Sequence, residues 1–315
     1  MAKFSLGINL CFATNRYVEP DEWARIVSEE LGLKRVQLIS DILDPFWPQA
    51  VLDAEVKRIL AATRRYDITI QSLMTGGHSR LNHFMHPYVE HREAWLAWFK
   101  RFADLAARLG SPAVGSHFGI MTFRDLEDPA RYRERLADGV RAWQELSHYA
   151  RAIGLKYVYF ETMSVPREAP DTIECARELL ARVNSGADVP VRLCLDAGHA
   201  PHPSQRDPYR WLRELGRDAP MVHVHQTDAN HSRHWPFVDE YNAVGIIDPP
   251  RVLAAINESG AAEVDILFEI LHREVAEQEG RIVADLKASV AYWRRWVPVD
   301  GAEWPRSQDG GDRQG

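Results

Sequence analysis

Cysteine is scarce in this chain of 315 residues: there are three, Cys11, Cys175 and Cys194, and no CxxC pair. An odd count without paired spacing argues against a disulfide framework and for a reducing compartment, the cytoplasm. Long apolar runs are missing too. None approaches the roughly 20 residues that cross a bilayer, and the opening MAKFSLGINL has no charged-then-apolar leader pattern, so no membrane partner is expected. Positive charge is in deficit, with 38 Lys and Arg against 45 Asp and Glu for a formal charge of −7. That balance argues against a nucleic-acid partner, which normally meets a basic face, but leaves room for a local basic pocket. GxGxxG, the Walker GK[ST] loop and the GxSxG elbow are all absent. Dinucleotide, P-loop and serine-hydrolase chemistries therefore find no support.

What is present is an alternation. Short apolar runs rich in β-branched residues are separated by longer stretches at helical spacing. The spacing predicts strands at Phe4–Phe12, Arg35–Ser40, Ile68–Met74, Ala113–Phe118, Tyr157–Glu161, Val191–Asp196, Met221–His225 and Asp265–Ile270. Between them, Glu93–Leu109 repeats apolar residues every three or four positions (Trp95, Trp98, Phe99, Phe102, Leu105) and stops at Gly110. The stretch Arg281–Trp296 does the same. Strands alternating with helices imply a parallel sheet, and eight such units suit a closed (β/α)8 barrel spanning residues 1–297. Residues 298–315, ending WPRSQDGGDRQG, lack periodicity and read as a polar, disordered tail. Two long connections, Thr75–Tyr88 and Gln226–Pro250, follow strand C-termini, where barrel active sites are built.

Four polar residues close four consecutive strands: Glu161 in YVYFETM, Asp196 in VRLCLDAGH, His225 in MVHVHQTD and Glu269 in DILFEIL. One carboxylate at a strand end is often a helix cap. Four on successive strands are harder to explain so, because burying them unpaired would cost several kcal/mol each. A bound cation removes that cost. Three carboxylates and one imidazole make a mostly hard donor set, suited to one divalent ion, Mn2+ first, with Mg2+ or Co2+ as alternatives. His223, two residues before His225, reads as a core histidine or one facing the helix layer.

The same rim carries His199, His78 in TGGHSR, His117 in GSHFG, and the cluster His231, Arg233 and His234. Arg80, Arg124, Arg167 and Arg233 are candidates for gripping an anion, since Arg binds phosphate bidentately. Trp47, Phe12 and Phe118 could wall a sugar.

The segments FETM, LDAGH, HVHQTD, LFEIL and VGIIDPPRVLAAI resemble the xylose isomerase-like TIM-barrel superfamily from about Phe4 to Trp296. Ketose 3-epimerases look closest, and GINLCFA with LDPFWP is similar to the D-erythrulose 1-phosphate 3-epimerases among them. The resemblance implies a metal held by Glu161, Asp196, His225 and Glu269, with Glu161 and Glu269 exchanging protons at C3 of a ketose or ketose phosphate. It implies substrate contacts from His199 and, where the family has an arginine six residues after the ligand histidine, from His231 or Arg233. Aldose–ketose isomerisation and dehydration of a cyclic polyol ketone belong to the same superfamily. So do the AP endonucleases, whose trinuclear zinc site is incomplete here: Phe237 and Asp239 stand where their Asp-x-His pair is expected. A homo-oligomer is left open.

Overall fold

In the computed structural model, which describes residues 1–200, 205–298 and 302–303, eight parallel strands close on themselves. They are β1 (Lys3–Asn9), β2 (Arg35–Ile39), β3 (Thr69–Met74), β4 (Ala113–His117), β5 (Tyr157–Glu161), β6 (Val191–Asp196), β7 (Met221–Val224) and β8 (Glu263–Phe268). Each pairs with the next in sequence, and β1 pairs with both β8 and β2, which shuts the barrel. The expected fold is the observed one. A ninth strand, β9 (Ala302–Glu303), runs antiparallel to the start of β1. This pairing lies inside the segment expected to be a disordered tail; residues 299–301 and 304–315 fall outside the described residues.

The helices start where the sequence tells them to. Asp128, Asp207 and Asp248 each precede a proline and accept backbone N–H groups of the turn that follows, opening the helices Pro129–Ala152, Pro208–Leu215 and Pro249–Glu258. Proline at the first helical position loses nothing, since its N–H would be unpaired there. The helix expected at Glu93–Leu109 runs Val89–Arg108 and buries Trp98, Phe99 and Phe102 against the barrel.

Two apolar layers result. The larger lies between helices and barrel wall, and a smaller one fills the barrel interior with Met74, Tyr159, Cys194, Met221 and Leu267. Gly115 on β4 exists for that interior, because a Cβ there would fall inside the Tyr159 ring. The filled floor leaves the C-terminal ends of the strands as the mouth. Both long connections open on this side, Thr75–Tyr88 as two short 3-10 turns, Gly77–Ser79 and His83–Met85, and the later one pinned by an antiparallel bridge between Gln226 and Trp235.

Candidate metal centre and sugar cavity

Glu161 and Asp196 are the last residues of β5 and β6, while His225 and Glu269 stand one position beyond β7 and β8. Asp196 is the residue they share: Glu161 and Glu269 converge with it on one side and His225 on the other. Glu161, Asp196 and His225 are buried, and the Glu269 side chain is 15% exposed toward a cavity of about 590 Å³. The Asp196 carboxylate accepts the Gly198 N–H at 2.6 Å and so starts the 3-10 turn Ala197–His199. That turn carries His199 back over the site, with Nε2 3.4 Å from Asp196 Oδ2 and Nδ1 donating to the Thr162 carbonyl at 3.0 Å. Gly198 is required here, since a Cβ would collide with the His225 ring.

The ligand-type atoms fall into three overlapping groups, one of them Glu161 with Cys194 and His223. Glu161, Asp196 and Glu269 converge with His223, and Asp196 converges again with His225 and His234. His223 is therefore not on the helix side; it points inward beneath the carboxylates. Its Nδ1 lies 3.0 Å from Glu161 Oε1 and 3.3 Å from Glu269 Oε2, and its Nε2 2.8 Å from Gln37 Oε1. His225 Nε2 is 3.2 Å from Asp196 Oδ1. Among the described residues, Asp196 Oδ2 and His225 Nε2 are buried with no hydrogen-bond partner.

Electrostatics set the carboxyl groups apart. Burial pushes Glu161 up, opposed by its hydrogen bond to His223 and reinforced by the Glu269 charge. Burial pushes Asp196 up as well, but His199 and His225 outweigh it and hold that carboxyl well below the usual range. At Glu269, burial is outweighed by His223 and His234. Two buried carboxylates, a third 15% exposed, and the partnerless Asp196 Oδ2 and His225 Nε2 fit a hard divalent cation. His225 Nδ1 accepts the His234 N–H at 3.0 Å and lies 3.2 Å from the Gln226 carbonyl; a ligand role for Nε2 needs Nδ1 to take the proton and donate to that carbonyl instead.

The cavity sorts the remaining candidates. His78, His117 and His199 line it. His78 is exposed, whereas His117 is buried, with Nε2 on the Leu81 carbonyl at 2.8 Å. Arg80 lines it too, its Nη2 2.5 Å from both oxygens of the buried Glu168. His231 and Arg233 do not line it. Asp228 holds them at the surface by accepting the His231 N–H at 2.9 Å and Arg233 Nε at 2.7 Å, and His234, stacked on His225, takes the place at the mouth. Arg124 and Arg167 lie outside the lining, the latter bound to the Met121 carbonyl at 3.0 Å. Phe12 and Phe118 are core residues, and Trp47 packs against the core. The apolar wall consists instead of Ile39, Met74, Met163 and Leu271.

Sequence reasoning passed over Arg16 and Asp41, both cavity residues on the β1 and β2 loops. Of its two readings of His223, the core histidine is the observed one, as it must be when positions 223 and 225 share a face in an extended strand.

A family model described as Xylose isomerase-like TIM barrel matches residues 27–295. The chain belongs to this family. A D-erythrulose 1-phosphate 3-epimerase from Brucella abortus is 32% identical to this family member over 294 residues, covering 92% of this chain and 95% of that protein. The crystal structure of a protein from Rhodospirillum rubrum, provisionally described as a xylose isomerase, superposes with a TM-score of 0.86 at 32% identity, over 93% of this chain and 99% of the other. D-Psicose 3-epimerase from Clostridium cellulolyticum, solved with D-tagatose, shares the fold at a TM-score of 0.67 and 15% identity, over 92% of this chain and 98% of that one. Such relatives support an enzyme of the isomerase class. No helix among the described residues is long and apolar enough to cross a membrane.

Proposed function

We propose that this chain inverts C3 of a short ketose, preferably a ketose 1-phosphate such as D-erythrulose 1-phosphate, with one divalent cation held by Glu161, Asp196, His225 and Glu269. The observation that carries the reading is the pair of orphaned buried atoms, Asp196 Oδ2 and His225 Nε2, among carboxylates that open onto a cavity of sugar size. The Brucella relative supplies the substrate class.

When bound, the cation lends Lewis-acid polarisation to the substrate's carbonyl oxygen, which lowers the cost of an enediolate. The residues do the rest. One of Glu161 and Glu269 takes the C3 proton as the C3–H bond breaks and its electron pair moves toward the C2 carbonyl. The other carboxyl gives its proton to the opposite face of C3, and solvent exchange resets the pair. Buried carboxyls with unequal environments are suited to such paired acid and base work. His199, at the cavity wall with Nδ1 on Thr162 and Nε2 beside Asp196, is placed to donate from Nε2 to a substrate oxygen as an imidazolium. Arg16 and Arg80, the arginines of the lining, are the candidates for the phosphate.

Incubating the protein with Mn2+ and a panel of free and phosphorylated ketoses in D2O tests this. Deuterium at C3 with formation of the epimer is expected. Deuterium at C1 would mean aldose–ketose isomerisation, and no exchange with any sugar would refute an epimerase.

A further inference from the structure

Beneath the two glutamates lies a buried polar network that the reaction as described leaves idle. Its parts are Asn9 on β1, Gln37 on β2, Ser72 on β3, Tyr159 on β5 and His223 on β7, none more than 1% exposed. The hydrogen bonds in it have one consistent direction. The Tyr159 hydroxyl donates to the Leu73 carbonyl at 2.8 Å. Its oxygen is then an acceptor, and the Gln37 amide nitrogen donates to it at 3.0 Å and to Ser72 Oγ at 3.1 Å. Gln37 Oε1 is thereby turned the other way, where Asn9 Nδ2 donates to it at 2.6 Å and His223 Nε2 meets it at 2.8 Å. His223 must therefore carry a proton on Nε2 and donate it to Gln37.

The other ring nitrogen is the one that faces the site. His223 Nδ1 touches both glutamates, Glu161 Oε1 at 3.0 Å and Glu269 Oε2 at 3.3 Å. A glutamate's last torsion is broad and weakly held by itself. A common contact removes that freedom from both carboxyl groups at once. Resting on the reading that Glu161 and Glu269 exchange the C3 proton, we propose that His223 is their positioning residue. It sets the two carboxyl groups relative to each other through Nδ1, and Gln37 locks the ring through Nε2. The barrel floor thus supplies the alignment of the acid and base. With Nε2 on Gln37 and Nδ1 against both glutamates, His223 is assigned as their support, and the metal content of His223→Gln separates that role from a ligand's.

The two ends of the imidazole can be removed separately. Asparagine keeps a polar atom at the Nδ1 position and loses Nε2; glutamine reaches the Nε2 position and loses Nδ1. Misplacing catalytic groups by about 1 Å costs up to about 10²-fold, so His223→Gln should lose kcat on that order. Its KM should stay within about threefold of wild type, because ground-state binding is untouched. Its circular dichroism and its Mn2+ content by elemental analysis should match wild type. His223→Asn should regain at least about tenfold of the lost kcat. Gln37→Met leaves both glutamates in place and frees the ring, so it too should lower kcat at constant KM, and it serves if His223→Gln does not fold. Wild-type kcat in His223→Gln and Gln37→Met, loss of metal together with activity, or an Asn variant no better than the Gln variant would each overturn the assignment. Wild-type protein that exchanges no ketose C3 proton in D2O would instead refute the epimerase reading, and this assignment with it.

Discussion

Asp196 and His225 meet inside the barrel with 3.2 Å between Oδ1 and Nε2, yet Asp196 Oδ2 and His225 Nε2 have no hydrogen-bond partner among the described residues. Leaving buried polar atoms unpaired costs about 1–3 kcal/mol each, so the pair is built for something further. Asp196→Ala and His225→Ala should each abolish retention of the divalent ion. Their circular dichroism should stay native, since β6 and β7 are otherwise mainly apolar. Full metal occupancy of both variants by elemental analysis would remove these residues from the ligand set.

Glu161 and Glu269 should behave differently from plain ligands. An amide oxygen can still coordinate, so Glu161→Gln and Glu269→Gln should keep part of the metal and lose turnover by about 10²–10⁴-fold or more. Single-turnover assays in D2O read this directly. Near-wild-type turnover in either variant excludes that residue from proton transfer.

Substrate preference should follow the cavity arginines. Phosphorylated ketose should be turned over with a kcat/KM at least about a hundredfold above that of the free sugar, roughly 2.7 kcal/mol of transition-state binding. Arg16 keeps only 12% of its side chain exposed and is held by Glu279 and the His272 carbonyl, whereas Arg80 is 48% exposed. Replacing the arginine that binds phosphate by Met should erase most of the preference while leaving the free sugar's rate unchanged. Equal turnover of both sugars by the wild type would move the substrate to unphosphorylated ketoses.

Acid should weaken the fold through His117. Burial holds its imidazole down at about 4, against an ordinary value of 6.5, and His83, stacked on it with 4.4 Å between ring centroids, is lowered for the same reason. A folded-state value below the unfolded one means that stability is full above pH 6.5 and falls as the pH drops toward 4, because the unfolded chain takes the proton first. At pH 5 the loss from His117 is on the order of 2 kcal/mol. Urea midpoints at pH 7 and pH 5 should converge for His117→Gln relative to wild type. A wild-type midpoint that does not change between the two values would contradict the burial argument.

Strands were legible because each is a short apolar run between helical periodicities, and β5 and β6 begin and end where that pattern says. Their last residues are Glu161 and Asp196, so both could be read off as strand-end candidates. Where apolarity continued past the strand, the boundary blurred. Leu10 and Phe12 extend the run of β1, but the Asn9 side chain caps a 3-10 turn there by accepting the Cys11 N–H at 2.8 Å. The rim loops resisted for another reason. Whether His231, Arg233 or His234 reaches the mouth depends on Asp228 folding the loop and on His234 adopting a φ of +52°, and no periodicity encodes that. His223 was within reach, since two-residue alternation places it with His225; its partner Gln37 lies on the far side of the barrel and is invisible to local spacing.

The antiparallel pairing of Ala302–Glu303 with Phe4 and Lys3 ties the described end of the chain to its start at the N-terminal ends of the strands. Both ends of the described chain therefore depart from the side of the barrel opposite the cavity. A tether joined directly at Met1 or Glu303 would start about the length of a strand behind the cavity. The same closeness makes the two ends natural points to join in a circular permutant, with new ends cut on the outer helical layer and the catalytic rim left whole.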